Sequence, residues 1–298
     1  MLIHTLDKAA VGLPITRLGV SFMPIYLPAN KLPKINSGLE SRLKIDELEH
    51  ASVPTLMAYN PTDTPILIVE GEHFIGGKQN RTLNTTVLVP PQTKLEIPVS
   101  CLERGRWGRR RGYTRSDSFA PRHVRHRTAA SVSESMHQSG SHDSDQGAVW
   151  SAVDEVLAAE SIASPTDAAE ALHATYRRED SWMLAIEELC RLGPLPGQCG
   201  FAVAHGRRIA ALELFGSPDL LTVHWKALIR SYLLERVKAT DYPSTSWVLR
   251  RLRRFGQSKS EDTPGIGLGI EKRVRNEEWT AQALVLNDGL VHASFFME

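Results

Sequence analysis

The chain has little of what marks membrane-spanning, secreted or metal-binding proteins. Its 298 residues include three cysteines, Cys101, Cys190 and Cys199, which match no zinc or redox spacing and cannot all pair with one another. The longest purely aliphatic run is Ile66–Val69, far short of the ~20 apolar residues of a membrane span. The N-terminus has no basic region followed by an apolar stretch, so no secretory signal is predicted. We therefore expect a folded cytoplasmic protein with no membrane partner.

Aromatic residues make up 7% of the chain, charged residues 23% and apolar residues 42%. These values are close to the average for globular proteins and exclude both a disordered chain and a fibrous repeat. No motif predicts an organic cofactor or a metal site, and the oligomeric state stays open.

One segment of the chain lacks lysine altogether. Between Arg104 and Arg127 it carries nine arginines and one acidic residue, Asp117. The rest of the chain has 26 basic and 33 acidic residues, so a positive segment lies within an acidic remainder. We call residues 104–127 the arginine tract. Arginine offers planar, forked donors that suit phosphate or carboxylate, whereas lysine offers a point charge.

Short apolar runs bounded by turn residues predict a β-rich N-terminal half. The predicted strands are Val20–Leu27, Thr55–Tyr59, Ile66–Glu70, Thr85–Val89 and Lys94–Val99.

Apolar residues at helical spacing predict a helix after Asp145. Ser164-Pro165 predicts the start of a second helix, which is broken near Asp180 and ends at Gly193. A hairpin turning at His205-Gly206, a helix capped by Ser217, and a C-terminal hairpin at Asn287-Asp288-Gly289 follow. Because sheet and helices occupy separate blocks, the predicted class is α+β.

The predicted organisation is a single domain over residues 1–240, β-rich over 1–127 and helix-rich over 128–240. Residues 241–298 are predicted to form an extension with a linker and a β-hairpin.

The densest polar stretch follows the strand at Ile66–Val69. If that strand continues, Glu70 and Glu72 face the same side, where paired carboxylates can act as general acid and base. Gly76-Gly77 allows a turn or a close approach to a ligand. The side chains that follow could bind ribose, a base edge and phosphate; the predicted ligand-binding residues are Lys78, Gln79, Asn80, Arg81 and Asn84. The alternative is that these residues form a polar hairpin whose side chains are solvated and bind no ligand.

The segments that follow contain candidate residues for two further chemistries, nucleophilic catalysis and metal binding. Ser100 or Cys101 could act as a nucleophile if His73 or His123 approached, although a lone cysteine after an apolar strand usually belongs to the core. A metal site at His123 and His126 is disfavoured by the surrounding arginines.

Four more residues complete the predicted binding site. Arg106 and Trp107 suit anion contact and stacking on a planar ligand. Asp145 is predicted to cap a helix whose exposed amides could face an anion, with Gln146 beside it.

These stretches resemble a prokaryotic family, the ADP-ribosylglycohydrolase- and rhodanese-phosphatase-superfamily-associated protein domain. The resemblance covers roughly residues 13–238. It departs from the family pattern at His73, where an acid is expected, and at Gly77, where alanine is usual. The stretches that carry it are Glu70–Asn84, Ile97–Trp107, Ser144–Trp150 and, more weakly, Leu212–Phe215 with Arg230–Tyr232.

The resemblance implies a context of NAD or ADP-ribose metabolism and no established reaction. The leading hypothesis is binding of an ADP-ribose- or NAD-related nucleotide derivative, with a hydrolytic step left open. Glu72 would be the general base or ribose ligand, assisted by Glu70. The alternative is a non-catalytic module that binds nucleic acid or a partner protein through the arginine tract, and the tract could also pair within the molecule.

Overall fold

The structure is a computed structural model that describes residues 3–48, 53–103, 112–162, 169–235 and 237–298. The chain forms two compact units. The first unit holds residues 1–33, 184–265 and 269–298, and the second holds residues 34–183 and 266–268. This division into units does not test the predicted boundary at residue 240, which stays a prediction.

The strands are, in chain order, β1 (Ala10–Val11), β2 (Ile15–Arg17), β3 (Val20–Tyr26), β4 (Asn36–Ser37), β5 (Lys44–Asp46), β6 (Thr55–Asn60), β7 (Ile66–Ile68), β8 (Glu72–Gly76), β9 (Arg81–Leu83), β10 (Val87–Val89), β11 (Thr93–Cys101), β12 (Tyr113–Phe119), β13 (Gly200–His205), β14 (Arg208–Phe215), β15 (Glu261–Pro264), β16 (Ile270–Arg275), β17 (Trp279–Leu286) and β18 (Gly289–Met297).

The α-helices are α1 (Arg122–Ser139), α2 (Gln146–Ala159), α3 (Glu170–Tyr176), α4 (Asp180–Leu192), α5 (Pro218–Tyr232) and α6 (Thr245–Gln257). Short 3-10 helices lie at His4–Lys8 and Leu39–Ser41. Within the described ranges, none of the helices is both long and apolar enough to cross a bilayer.

The first unit is built on a nine-stranded antiparallel sheet with the order β1-β3-β13-β14-β18-β17-β16-β15, and β2 also pairs with β3. On one face, α6 and the N-terminal 3-10 helix bury Leu252, Phe255 and Leu6 against Phe295 of β18. On the other face, Trp225 and Tyr232 of α5 pack edge-on against Phe201 of β13. Aromatic and aliphatic burial of this kind is the main source of stability.

The second unit is built on a closed barrel with the order β11-β6-β5-β12-β8-β9, beside a three-stranded sheet with the order β10-β7-β4. Inward-facing residues such as Phe74, Ile97 and Val99 form its core. Closure pairs every barrel strand on both sides and leaves no free edge. The barrel places the polar stretch after β7 next to β12.

The α+β class is confirmed, and so is the order of elements. The β13–β14 hairpin turns after His205, and the β17–β18 hairpin turns at Asn287-Asp288. Ser217 caps α5 by accepting from the backbone N–H of Leu220. The predicted cap at Ser164-Pro165 lies outside the described residues.

Two segments differ from the prediction. The stretch from Ser131 to Ser144, for which the sequence predicts no helix, belongs largely to α1. The buried residues of α1 mix Val124 and Val132 with Arg125 and His126, so apolar periodicity does not reveal the helix. The basic segment 250–254 lies on α6, and the predicted linker after Gln257 contains β15.

Replacing Leu252 of α6 with alanine should lower the free energy of unfolding by about 2–5 kcal/mol, because Leu252 is fully buried in the core of the first unit. Urea denaturation measures this. The neighbouring exposed position supplies the control, since Arg253→Ala should change stability by less than ~0.5 kcal/mol. A separable extension would instead leave the main unfolding transition unchanged in Leu252→Ala.

Candidate functional site

The two predicted catalytic carboxylates follow a turn rather than a continuing strand. β7 ends at Ile68, the chain turns at Glu70-Gly71, and β8 begins at Glu72. Gly71 has φ +85°, and a Cβ there would lie 2.7 Å from Nε of Arg125. The expectation that one strand carries both carboxylates on one side was therefore wrong. Glycine is needed here both for the backbone conformation and for the passage of the arginine side chain.

Each carboxylate pairs with a buried arginine of the arginine tract. Oε2 of Glu72 accepts from Nε and Nη2 of Arg115 at 3.1 and 2.5 Å, and its Oε1 accepts from the backbone N–H of Val69 at 2.8 Å. Glu70 accepts from Nε of Arg125 at 3.2 Å and from its Nη2. The four side chains lie between 0% and 5% exposed. Paired, forked geometry of this kind compensates the cost of burying the charges.

Both arginines have further contacts that fix their positions. Nη1 of Arg115 donates to the carbonyl of Gly38 at 2.6 Å and to Oγ of Ser41 at 2.8 Å. The guanidinium of Arg125 lies 5.4 Å from the centre of the Phe119 ring. The ion pairs therefore connect the start of β8 to β12, to α1 and to the 3-10 helix at Leu39–Ser41.

The predicted ligand-binding stretch is the β8–β9 hairpin. A Cβ on Gly77 would lie 2.2 Å from the Tyr113 ring, so the double glycine makes room for a protein side chain. The backbone N–H of Lys78 donates to Oε1 of Glu47 at 3.2 Å. The backbone N–H of Asn80 donates to Oε2 of Glu103 at 3.0 Å. The side chain of Gln79 adds a further contact, since its Nε2 donates to the carbonyl of Glu103 at 3.4 Å.

Arg81 is the unusual member of this hairpin. It is 4% exposed, and its Nη1 donates to Oε1 of Gln79 at 2.9 Å and to the Sγ of Cys101. Its Nε has no hydrogen-bond partner. No carboxylate in the part of the chain that the structure describes forms an ion pair with it. Burying a guanidinium without an anionic partner destabilises the folded protein, and a bound anion would offset this destabilisation.

Cys101 is poorly suited to act as a nucleophile in this environment. Burial raises the pKa of its thiol, and the Arg81 guanidinium only partly opposes that rise. The thiolate is the reactive form, so a raised pKa suppresses nucleophilic attack.

Two of the remaining predicted residues, Asn84 and Gln146, hydrogen-bond to β11, and Gln146 is the first residue of α2. The amide of Gln146 accepts from the backbone N–H of Cys101 at 2.8 Å and donates to its carbonyl at 2.9 Å, as a neighbouring strand would. Oγ of Ser100 donates to Oδ1 of Asn84. Asp145 caps α2 by accepting from two backbone N–H groups, at Gly147 and Ala148. The cap is confirmed. The predicted residues Arg106 and Trp107 lie outside the described residues.

A buried histidine pair lies beside these residues and was not predicted. The rings of His73 and His173 meet edge-on with centroids 5.7 Å apart. Nδ1 of His73 lies 3.2 Å from Oγ of Ser118, and Nε2 of His173 lies 3.1 Å from the carbonyl of Phe119. Burial, and secondarily His173, holds the pKa of His73 well below its ordinary value of 6.5. The two histidines are 100 residues apart, so no local motif could reveal the pair.

Metal ligation has little support in this region. His123 contacts Oε2 of Glu155 at 2.6 Å, and His126 is buried on α1. Across the described ranges, no group of three histidine, cysteine, aspartate or glutamate side chains is placed to hold a metal ion.

A family model, the ARG and Rhodanese-Phosphatase-superfamily-associated Protein domain, matches residues 9–296. The chain belongs to this family. The match extends beyond the region of roughly 13–238 on which the resemblance rested, and includes α6 and the C-terminal hairpin. The family name records an association and states no reaction, and expanding ARG to ADP-ribosylglycohydrolase goes beyond it. Comparison with curated proteins and with solved structures found no match.

Replacing Glu72 with glutamine should lower the free energy of unfolding by about 3–5 kcal/mol, because it leaves the buried guanidinium of Arg115 without its countercharge. Urea denaturation of Glu72→Gln and of the double variant Glu72→Gln/Arg115→Met tests this. The double variant should recover much of the loss. Equal stability of the native protein and Glu72→Gln would contradict a structural ion pair.

Acidification should destabilise the protein through His73. Its folded-state pKa lies below the unfolded value, so its contribution is fully present above about pH 6.5 and falls as pH drops below that value. One such proton accounts for up to about 1.4 kcal/mol per pH unit. Unfolding at pH 7.5, 6.5 and 5.5 should show a shallower pH dependence in His73→Gln than in the native protein, and parallel slopes would argue against this role.

Proposed function

We propose that this protein binds an ADP-ribose- or NAD-related nucleotide derivative, with its phosphate groups at Arg81. The observation that carries the proposal is the state of the Arg81 side chain. Its guanidinium is buried, has neutral partners in Gln79 and Cys101, and has an Nε without a hydrogen-bond partner.

An anionic ligand would remove the cost of this arrangement. A guanidinium offers five donors in a rigid fork, and phosphate oxygens match that fork two at a time. Lys78, which is half-buried on the same hairpin, adds a second cationic side chain next to the Gln79 and Asn80 amides. The amide of Gln79 is engaged at both ends, by Nη1 of Arg81 and by the carbonyl of Glu103, and Oδ1 of Asn80 accepts from the backbone N–H of Gly76. The two cationic side chains are therefore the groups that the proposal assigns to the phosphates.

Membership of the family supports a nucleotide ligand by association only. The family name links these proteins to ARG and to a rhodanese-phosphatase superfamily. Within this proposal the specific ligand is ADP-ribose, because it carries two phosphates for Arg81 and Lys78.

Hydrolysis is a separate step from binding. Glu72, the predicted general base, has both carboxylate oxygens engaged, by Arg115 and by the backbone of Val69. Glu70 is likewise paired with Arg125. Accepting a proton from water would neutralise Glu72 and cost its ion pair with Arg115. The proposal therefore begins with binding, and a turnover assay on the ligand that binds tests Glu72 and Glu70 as catalytic residues.

The competing prediction is that the arginine tract binds nucleic acid or a partner protein. Two of its described arginines, Arg115 and Arg125, are buried in ion pairs and are not available to a polymer in this structure. Arg127 is exposed on α1 and Arg122 is half-buried. Two of the four described tract arginines are therefore engaged within the protein, and the other five tract arginines lie outside the described residues.

Arg81→Met should abolish ligand-induced stabilisation without lowering the stability of the free protein. Methionine is similar in length and carries no charge, so it removes the uncompensated guanidinium. In a thermal-shift assay, ADP-ribose at ~100 times its Kd adds roughly 2.7 kcal/mol to the native protein. That corresponds to a rise of about 5 °C or more. Arg81→Met should show no rise, and its own melting temperature should be unchanged or higher.

Arg127→Ala is the matched control, because it removes an exposed tract arginine and should keep the full shift. Arg81→Lys keeps the charge but loses the fork, and should bind at least tenfold more weakly by calorimetry. A full shift in Arg81→Met would overturn the proposal. A shift with short RNA alone, lost in Arg127→Ala, would favour the tract as the binding surface.

A further inference from the structure

A cavity of about 590 Å³ lies on the outer side of the barrel in the second unit. Its floor is formed by β5, β6 and β11, which pair side by side. Where these strands pair, buried residues alternate with solvent-facing ones, and the solvent-facing set lines the cavity. The volume is in the range of small-molecule sites. This surface therefore offers a ligand both room and access.

The first row of side chains in the cavity is positively charged. Lys44 of β5 and Lys94 of β11 are the direct cross-strand neighbours of Tyr59 in β6. Their Nζ atoms lie 6.0 and 5.9 Å from the centre of the Tyr59 ring. Both lysines are exposed, and Tyr59 is half-buried. A carboxylate that enters between the lysines would meet an ammonium group from each side.

The second row of side chains is negatively charged. Two positions along the strands from the first row, Asp46 and Glu96 are the direct cross-strand neighbours of Met57. Oδ1 of Asp46 accepts from the backbone N–H of Glu47 at 2.8 Å, which orients the carboxylate. Glu47 also lines the cavity. An ammonium group above Met57 would therefore meet carboxylates on both sides.

This separation of the two signs is not what sheet stability calls for. Cross-strand pairs stabilise a sheet when opposite charges face each other, and protein surfaces ordinarily intersperse the two signs. Within the described ranges, none of the four charged side chains of the two rows forms an ion pair with another residue. The rows are two residues apart, which is ~6.8 Å along a strand. The cavity therefore has a cationic end and an anionic end, joined by a floor of Tyr59 and Met57.

We infer that this cavity binds a zwitterion whose carboxylate and ammonium groups are joined by an aliphatic chain, as in a free ω-amino acid or the C-terminal lysine of a peptide. The carboxylate lies between the two lysines, and the ammonium group lies between the two carboxylates of the second row. The methylene chain covers Tyr59 and Met57, which removes apolar surface from water. A chain of five methylene groups spans roughly the distance between the rows.

Charge balance selects a zwitterion over a phosphate-bearing ligand at this cavity. Its lining includes two lysines and three carboxylates, those of Asp46, Glu47 and Glu96. A polyanion would gain from the lysines and be repelled by the larger number of acids. The inference therefore involves other residues than the proposed function and does not depend on it.

The probe for this inference is 6-aminohexanoate, titrated against the full chain by saturation-transfer difference NMR. It should give a saturable signal. Hexanoate lacks the ammonium group and hexylamine lacks the carboxylate, so each should bind at least tenfold more weakly. 3-Aminopropanoate keeps both charges but is too short to reach both rows, and should also bind at least tenfold more weakly. No saturable signal with 6-aminohexanoate, or equal binding of either singly charged probe, would overturn the inference.

The double variant Lys94→Glu/Glu96→Lys exchanges the two charges of β11 and keeps the composition and net charge of the chain. Because it mixes the signs within each row, 6-aminohexanoate should bind at least tenfold more weakly, and unchanged binding would contradict the inference. Both positions are exposed, so the urea midpoint should not change. Lys94→Gln removes one ammonium group and should also weaken binding, which decides the case if the exchange lowers the urea midpoint.

Lys34→Gln is the matched control, because Lys34 is an exposed lysine of the second unit and does not line the cavity. It should bind 6-aminohexanoate as the native chain does, and a loss equal to that of Lys94→Gln would contradict a site at this cavity.

Nα-acetyl-L-lysine distinguishes the two sources of the zwitterion. Its blocked α-amine and free carboxylate reproduce the C-terminal lysine of a peptide. Binding at least as tight as that of 6-aminohexanoate would support a peptide C-terminus as the ligand. Binding at least tenfold weaker would support a free ω-amino acid.

Discussion

The second unit depends on two buried arginine–glutamate pairs, Glu72 with Arg115 and Glu70 with Arg125. These pairs connect the turn after β7 to β12 and to α1, which are far away in sequence. Four charges at most 5% exposed are tolerated only because each carboxylate faces a guanidinium in a two-donor arrangement. The left-handed backbone of Gly71 is part of the same constraint, since a larger residue would collide with Arg125.

These ion pairs give two arginines of the arginine tract a structural role within the second unit. Nine arginines in one segment of an otherwise acidic chain suggest a surface for a polyanion. In the second unit, two of the four described tract arginines instead point inward, against carboxylates of the same unit, and Arg127 is exposed. The buried guanidinium without a carboxylate belongs to Arg81, outside the tract. This contrast is the basis for proposing phosphate recognition at the β8–β9 hairpin.

The two units bury polar groups in different chemical states. In the second unit, the unusual group is a cation that lacks a countercharge, which favours an anionic ligand. In the first unit, the buried Arg273 is neutralised by Glu271.

Local sequence patterns determined the α+β class, most strands, the Asp145 and Ser217 caps and the C-terminal hairpin, because turn residues and caps act over a few positions. They also identified the polar stretch from Glu70 to Asn84 as unusual. Tertiary structure alone decided the partners of those side chains. Glu72 meets Arg115 across 43 residues, and His73 meets His173 across 100. Helix α1 was not predicted because its buried face carries Arg125 and His126 among its apolar residues, and the burial of Arg125 depends on its distant partner Glu70.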